Sequence, residues 1–358
     1  MRFLVINGPN LNMLGAREPE VYGPETLADL EAKVDRWGQS MGVETVCEQN
    51  NSESRIIESI QTFEGDGIVI NPGAFTHTSR AIADAIGAVP TPVVEVHISN
   101  MREREPWRAV SVIAPACVRT IYGRGTLGYR NAMRHLVNRA AMPFETILYG
   151  PHADNVGDLR HDGGDLVVLV HGGLWRHQYE RDTVESLAVD LTGRGLRTWN
   201  IEYRRLGTGG GWPGSGQDVL TALDFIPQLG LKPGRIIVVS HSAGSQLATW
   251  AADRSITNVD LHVALSPLLD LETAVDNNDV GAAQCRLMLE GGAPSRVLPT
   301  RVRTVIVHAT FDQIVPVKRS ISIARDTGIE LDQPDSDHFA LLDPSKKHWE
   351  SVLARIEG

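Results

Sequence analysis

Short β-branched runs recur along this chain, each followed by polar loop residues and then by a stretch of helical periodicity, and this alternation constrains the fold more than any other feature. In residues 1 to about 141 the runs are Phe3–Ile6, Val43–Cys47, Gly67–Ile70, Pro92–Val96 and Val118–Ile121. Between them Leu27, Leu30, Val34, Trp37 and Met41 fall at helical spacing, and Arg55–Phe63, Thr78–Ile86 and Leu127–Asn138 read as further helices. Strands separated by crossover helices pair in parallel and are covered on both faces. Five of them predict a flavodoxin-like five-stranded parallel sheet.

A second alternation begins at Leu166–Val170. It continues through strand candidates Arg197–Tyr203, Arg235–Val239, Asp260–Leu265 and Arg303–Val307, with helices such as Asp182–Leu191 and Gln217–Ile226. At 358 residues the chain exceeds a typical single core. Residues 142–165, MPFETILYGPHADNVGDLRHDGGD, lack sustained periodicity and read as a linker and entry loop. Two α/β domains are therefore expected, at 1–145 and 146–358.

Composition narrows the partners. A net charge of −10 argues against nucleic acid, whose phosphates need a basic face. Cys47, Cys117 and Cys285 are odd in number and widely spaced, which suits a reducing cytoplasm better than a disulfide framework. With a strand starting at Arg2 and no apolar run of membrane-span length, a cytoplasmic protein acting on small molecules is expected. No cofactor or metal is expected either. His171 has no second ligand at zinc spacing, and Thr208-Gly209-Gly210-Gly211 is not followed by G-K-[ST].

In parallel sheets ligands bind beyond the carboxyl ends of the strands. After the first four strands of the first half stand Asn7-Gly8-Pro9-Asn10, Gln49-Asn50-Asn51-Ser52, Asn71-Pro72-Gly73 with His77, and His97-Ile98-Ser99-Asn100. Polar amides and imidazoles thus gather on one sheet edge. In the first loop Tyr22 follows Arg17 by five residues. A phenol needs its pKa lowered by about three units, roughly 4 kcal/mol, to act as a base at neutral pH. A nearby guanidinium supplies stabilisation of that sign. With His97 as candidate acid, Asn10 as an amide able to hold an oxyanion or its water, and arginines in Met101–Arg108 able to grip an anionic, hydroxylated substrate, the inventory suits proton abstraction beside a carbonyl followed by loss of water.

The segments NGPNLNMLGAREPEVYG, INPGAFTHTS, VEVHISN and REREPWR resemble the type II 3-dehydroquinate dehydratases, and the resemblance spans residues 1–141. It implies cofactor-free conversion of 3-dehydroquinate to 3-dehydroshikimate through an enolate, in the shikimate or quinate pathway. By that resemblance Tyr22 removes the C2 proton, Arg17 keeps the phenol ionisable, Asn10 positions the water at the enolate and His97 protonates the departing hydroxyl. Asn71, Ile98 and Ser99 hold the carboxylate, His77 and Arg108 read the ring hydroxyls, Glu95 orients His97, Arg104 is a lid contact, and Asp84 reaches a neighbouring subunit's site. The family's trimer-based, dodecameric homo-oligomer is implied as well. One departure stands after the second strand, where Asn50-Asn51-Ser52-Glu53-Ser54 replaces the family's usual His-Glu or Ser-Glu followed by Gly.

In the second half Ile236–Val239 runs into Ser240-His241-Ser242-Ala243-Gly244 and then a helical pattern, which is the outline of a nucleophile elbow. Leu166–Val170 runs into His171-Gly172-Gly173-Leu174-Trp175, a glycine-rich loop of the kind that builds an oxyanion hole. Gly172, Gly173 and Ala243 are the expected oxyanion donors, and Asp312 and His338 follow in the chain order of a Ser–Asp–His triad. HGGLW, SHSAGSQLA and DHFALLDP resemble α/β-hydrolases of the kynurenine formamidase and small carboxylesterase group, over roughly residues 146–358. The resemblance implies a serine hydrolase. An ester of a quinate- or shikimate-type acid is the expected substrate, with a formamidase, a generic carboxylesterase or a non-catalytic assembly module as alternatives.

Overall fold

A computed structural model describes residues 1–16, 23–161 and 163–358. The chain divides into two compact units, Met1–Ala140 and Ala141–Gly358.

In the first unit strands β1 (Arg2–Asn7), β2 (Glu44–Gln49), β3 (Gly67–Asn71), β4 (Val93–His97) and β5 (Arg119–Tyr122) form one sheet in the order β2-β1-β3-β4-β5. All four pairings are parallel, and this is the flavodoxin-like order. The register sets Asn7 beside both Gln49 and Asn71, so the polar residues that end three strands share one edge. Alternate side chains feed two cores. Phe3, Val5, Val69 and Val94 pack under Leu30, Val34 and Met133, while Leu4, Ile6, Ile68 and Ile70 pack under Ile56, Ile60, Ile82 and Ile86. Burying each such side chain contributes about 1.5–3 kcal/mol. The helix Leu27–Met41 starts at a capping box between Thr26 and Asp29 and stops at Gly42, whose φ of 67° is a left-handed conformation glycine adopts without strain.

The second unit holds an eight-stranded sheet. Its strands are β6 (Glu145–Leu148), β7 (Val156–Arg160), β8 (Leu166–Val170), β9 (Arg197–Ile201), β10 (Ile236–His241), β11 (Leu261–Leu265), β12 (Thr304–Val307) and β13 (Glu330–Asp332), in the order β13-β12-β11-β10-β8-β9-β7-β6. Every pairing is parallel except β6 with β7 and β7 with β9. Residues 142–165, expected as a linker, thus contain an antiparallel hairpin, and the units part after Ala140 rather than near 145 because Glu145 already pairs with Leu159. Charge hid β7. Asp158 and Arg160 are buried in β7, where Arg181 and Glu185 pair with them at 2.7 and 3.0 Å. A charged strand kept inside by ion pairs does not alternate in hydropathy.

Apolar side chains on the two faces of this sheet enter separate cores, with Val168, Val170, Trp199 and Val238 in one and Val167, Leu169, Val239 and Val263 in the other. Among the described residues no helix is long and apolar enough to cross a membrane.

Candidate active sites

A cleft opens at the carboxyl edge of the first sheet, lined by Asn10, Asn71, His77, His97, Ile98, Ser99, Arg104 and Arg108. Every one of these was expected from the sequence. Arg17 and Tyr22 lie outside the described residues, and Asp84 sits on the exposed side of the helix Arg80–Gly87, away from this lining.

The cleft is organised from below by Glu95, which is fully buried at the centre of β4. Its carboxylate accepts from His97 Nε2 at 2.9 Å, from Ser111 Oγ at 2.9 and 3.0 Å, from Thr120 Oγ1 at 3.1 Å and from Thr76 Oγ1. Burial alone would raise its pKa, but the hydrogen bond from His97 and those from the hydroxyls outweigh burial and hold the carboxyl below its ordinary range. His97 therefore faces a buried carboxylate through Nε2, which leaves Nδ1 as the ring nitrogen for a substrate.

His77 donates from Nδ1 to the Val110 carbonyl at 2.7 Å. Burial lowers its pKa, so the ring is neutral and presents Nε2 as an acceptor, suited to a substrate hydroxyl. Trp107 packs edge-on against His77 with ring centroids 5.1 Å apart, and the Arg108 guanidinium lies 4.1 Å from the Trp107 ring centre. Arg104 and Arg108 both approach Glu105, at 3.5 and 2.9 Å. Asn71 donates to Tyr129 Oη at 2.9 Å and accepts from Gly73 N–H at 3.2 Å, so its side chain is held by the helix Leu127–Ala141 and by the turn that follows its strand. Gly123 and Gly125 bind the carbonyls of His97, Ser99 and Ile98, and this fixes the peptides that follow β4.

Asn10 has φ 67°, a left-handed conformation that Asn tolerates better than most residues. Its backbone N–H donates to Asn51 Oδ1 at 3.0 Å, and Gln49 Nε2 holds the same oxygen at 3.0 Å. Asn51, in the segment that departs from the family pattern, is thus a support for Asn10. Sequence reading missed it because nothing links positions 10 and 51 before the sheet forms.

The second unit brings together Ser242, His338 and Asp312. Ser242 Oγ lies 3.0 Å from His338 Nε2, and His338 Nδ1 lies 2.6 Å from Asp312 Oδ2. With Nδ1–H donating to the carboxylate, Nε2 carries the lone pair that accepts the serine proton. Asp312 Oδ1 accepts from the Ile314 and Val315 N–H groups, each at 2.8 Å. Burial would raise this carboxyl, but hydrogen bonds from His308 and His338 outweigh it and keep Asp312 ionised.

Ser242 adopts φ 53° and ψ −124°, strained backbone for a non-glycine residue, between the end of β10 and the helix Ala243–Ala252. The elbow tolerates only small neighbours. A Cβ on Gly244 would come within 2.1 Å of the His171 carbonyl oxygen, and one on Gly172 would meet Ser242 Cβ and His241 Nδ1 at 2.9 Å. These glycines let the His171–Trp175 loop close onto the nucleophile, beside Ala243 at the helix start. Gly173 has φ 104° and packs against Tyr179. His171 bonds to Glu202 Oε1 at 2.8 Å and to the Gly172 carbonyl at 2.8 Å, and Tyr203 stacks on its ring at 4.4 Å. These contacts fix the orientation of the loop that carries it.

Ser240 stands where such elbows usually carry glycine. Its hydroxyl pairs with Ser245 at 2.9 Å and His262 at 2.7 Å, so the extra polar atom is satisfied. His241, unflagged by sequence reading, donates from Nε2 to the His338 carbonyl at 3.1 Å. Burial, and then the proximity of His338, push its pKa down to about 3, so it remains a neutral brace.

Among the described residues no group of three or more His, Cys, Asp or Glu side chains could hold a metal ion.

The family model for dehydroquinase class II matches residues 1–137, and a second, BD-FAE, matches residues 159–279. A 3-dehydroquinate dehydratase from Anoxybacillus flavithermus is 50% identical over 140 residues, 38% of this chain and 95% of that protein. Catabolic 3-dehydroquinase 1 from Neosartorya fischeri is 50% identical over 135 residues, 37% of this chain and 90% of that protein. The crystal structure of esterase LipW from Mycobacterium marinum superposes with a TM-score of 0.50 at 19% identity, over 64% of this chain and 85% of that one, a likeness of fold. Through residues 1–137 the chain belongs to the class II dehydroquinases, and the same polypeptide carries a second domain of α/β-hydrolase fold.

Proposed function

We propose that the chain performs two reactions, dehydration of 3-dehydroquinate to 3-dehydroshikimate and hydrolysis of a carboxylic ester on a related ring acid. In the first, Tyr22, activated by Arg17, takes the C2 proton and the resulting enolate is held by a water on Asn10. His97, oriented by Glu95, gives a proton to the C1 hydroxyl, which leaves as water. Asn71, Ile98 and Ser99 bind the carboxylate, His77 and Arg108 read the hydroxyls, Arg104 closes over the ring, and Asp84 serves a neighbouring copy in a trimer-based homo-oligomer in the cytoplasm.

In the second reaction Ser242 attacks the ester carbonyl as His338 takes its proton, and N–H groups of Gly172, Gly173 and Ala243 receive the oxyanion. His338 then protonates the leaving alcohol, and water repeats the cycle on the acyl-enzyme. The observation that carries this half is the unbroken hydrogen-bond line from Ser242 through His338 to Asp312, at 3.0 and 2.6 Å.

Covalent fusion raises the concentration of one site near the other to about the millimolar range for a short tether. That helps only if one site feeds the other. The dehydratase cleft accepts a hydroxylated cyclohexane carboxylate, and an O-acyl group would obstruct the contacts of His77 and Arg108. We therefore place ester hydrolysis before dehydration for esters of quinate-type acids, whereas acids released from shikimate- or dehydroshikimate-type esters would enter on the product side of the dehydration. A quinate-degrading role suits the resemblance to relatives named as catabolic 3-dehydroquinases.

The test compares kcat/KM for acyl esters of quinate and shikimate with simple esters of equal acyl length and with N-formylkynurenine. An advantage for the ring-acid esters supports the link. Equal turnover favours a generic carboxylesterase, and preference for N-formylkynurenine favours a formamidase. No turnover of any of them leaves an assembly module.

A further inference from the structure

Ser111 lies outside the groups given a role so far. Its Oγ accepts the backbone N–H of Ile113 at 3.1 Å and of Ala114 at 2.9 Å, so both hydroxyl lone pairs are engaged by the turn that follows it. The hydroxyl proton is left to Glu95, whose two carboxylate oxygens stand at 2.9 and 3.0 Å. Ser111 is therefore a one-way donor to a fully buried charge.

The residues beside it are pinned as well. The Val110 carbonyl accepts from His77 at 2.7 Å, and the Val112 N–H donates to the Thr76 carbonyl at 2.8 Å. Thr76 in turn donates its hydroxyl to Glu95. Three consecutive residues thus knit the segment that carries Arg104 and Arg108 onto the Glu95–His97 pair. A segment that merely closed over substrate would not need to contact the carboxylate behind the acid.

We propose that Ser111 is a positioning residue for dehydration: by holding Glu95 in charge and orientation it sets how readily His97 releases its proton, while the same contact seats the arginine segment. The inference rests on His97 being the proton donor. The titratable groups around the pair are His77 from the turn after β3, Cys117 from the approach to β5, and Arg108, which acts on His77. Burial pushes the Cys117 thiol far up, so it stays neutral.

Removing one donor from a buried carboxylate raises the proton affinity of the Glu95–His97 pair as a whole. In the full chain, Ser111→Ala is expected to lower kcat for 3-dehydroquinate about tenfold. It should shift the alkaline limb of the kcat–pH profile upward by roughly half a unit or more, with KM changed less than about threefold. Ser111→Thr, which keeps the hydroxyl, should restore both. If the alanine variant does not fold, Ser111→Cys keeps the size and loses most of the donor strength, and it should show the same limb shift. An unmoved limb with unchanged kcat overturns the proposal. So does a raised KM at unchanged kcat, which would reduce Ser111 to a support for the arginines. His97→Gln, measured alongside, separates the two ideas: turnover that survives it refutes His97 as the acid, whereas turnover lost there but untouched in the Ser111 variants refutes the coupling alone.

Discussion

Replacing Asp312 with Asn changes one atom and should nearly extinguish ester hydrolysis. Asp312 Oδ1 is held by two backbone N–H groups at 2.8 Å, and Oδ2 receives His338 Nδ1–H at 2.6 Å. In Asp312→Asn the amide oxygen keeps the two backbone donors and the NH2 turns toward His338. Nδ1 must then surrender its proton to accept from the amide, and the proton moves to Nε2, where it blocks acceptance from Ser242. Rotating the amide restores the tautomer but aims NH2 at two N–H donors. Leaving both unsatisfied costs about 1–3 kcal/mol each, so about 2–6 kcal/mol in total. That is a penalty of roughly 30-fold to 10⁴-fold on the productive state. Loss of the charge opposite the imidazolium formed during attack adds to it, and a loss of about 10³-fold or more in kcat is expected. The assay is p-nitrophenyl acetate hydrolysis across pH, with 3-dehydroquinate turnover measured in parallel and expected to hold. Retention of more than about a tenth of wild-type kcat would refute the tautomer argument and point to His308, which lies 3.4 Å from the same carboxylate oxygen, as a substitute anchor.

Tyr22→Phe should lower dehydration by about 10²-fold or more and leave hydrolysis unchanged, while Ser242→Ala should do the reverse, and a serine-directed phosphonate should label Ser242 alone by peptide mass mapping. For pH dependence, Glu95 is held below its ordinary carboxyl value of 4.5 in the folded state. Its contribution to stability is therefore present above that pH and lost as pH falls through the lower folded-state value. Glu95→Gln should thus reduce hydrogen-exchange protection in β3 and β4 at pH 7, with the deficit narrowing below about pH 4.5; a deficit that stays constant into acid would mean the charge contributes nothing.

Periodicity made most strands legible, because a buried parallel strand such as Leu166–Val170 is a continuous apolar run and cannot be mistaken for a surface loop. It failed at β7, where Asp158 and Arg160 are buried with ionic partners. The cleft residues were legible for a topological reason: strand ends in a parallel sheet converge, so His97 and Asn71 meet whatever lies between them in sequence. Their supports were not. Ser111 and Thr120 meet Glu95 across 16 and 25 residues, and Asn51 meets Asn10 across 41. A single hydroxyl or amide carries no periodic mark, and only the folded register tells which one faces a buried charge. His241 was overlooked for the same reason, since the variable position of an elbow motif says nothing about the carbonyl it will brace.

Each unit is built around cores of its own, packed on the faces of its own sheet. In a cell this makes the polypeptide a shared fate. A substitution that loosens the packing beneath Trp199 costs stability in the second unit, yet a protease that engages the loosened half degrades one continuous chain. The abundance of the dehydratase is then set by the weaker of the two units. Natural variants that deplete dehydratase turnover need not lie anywhere near its cleft.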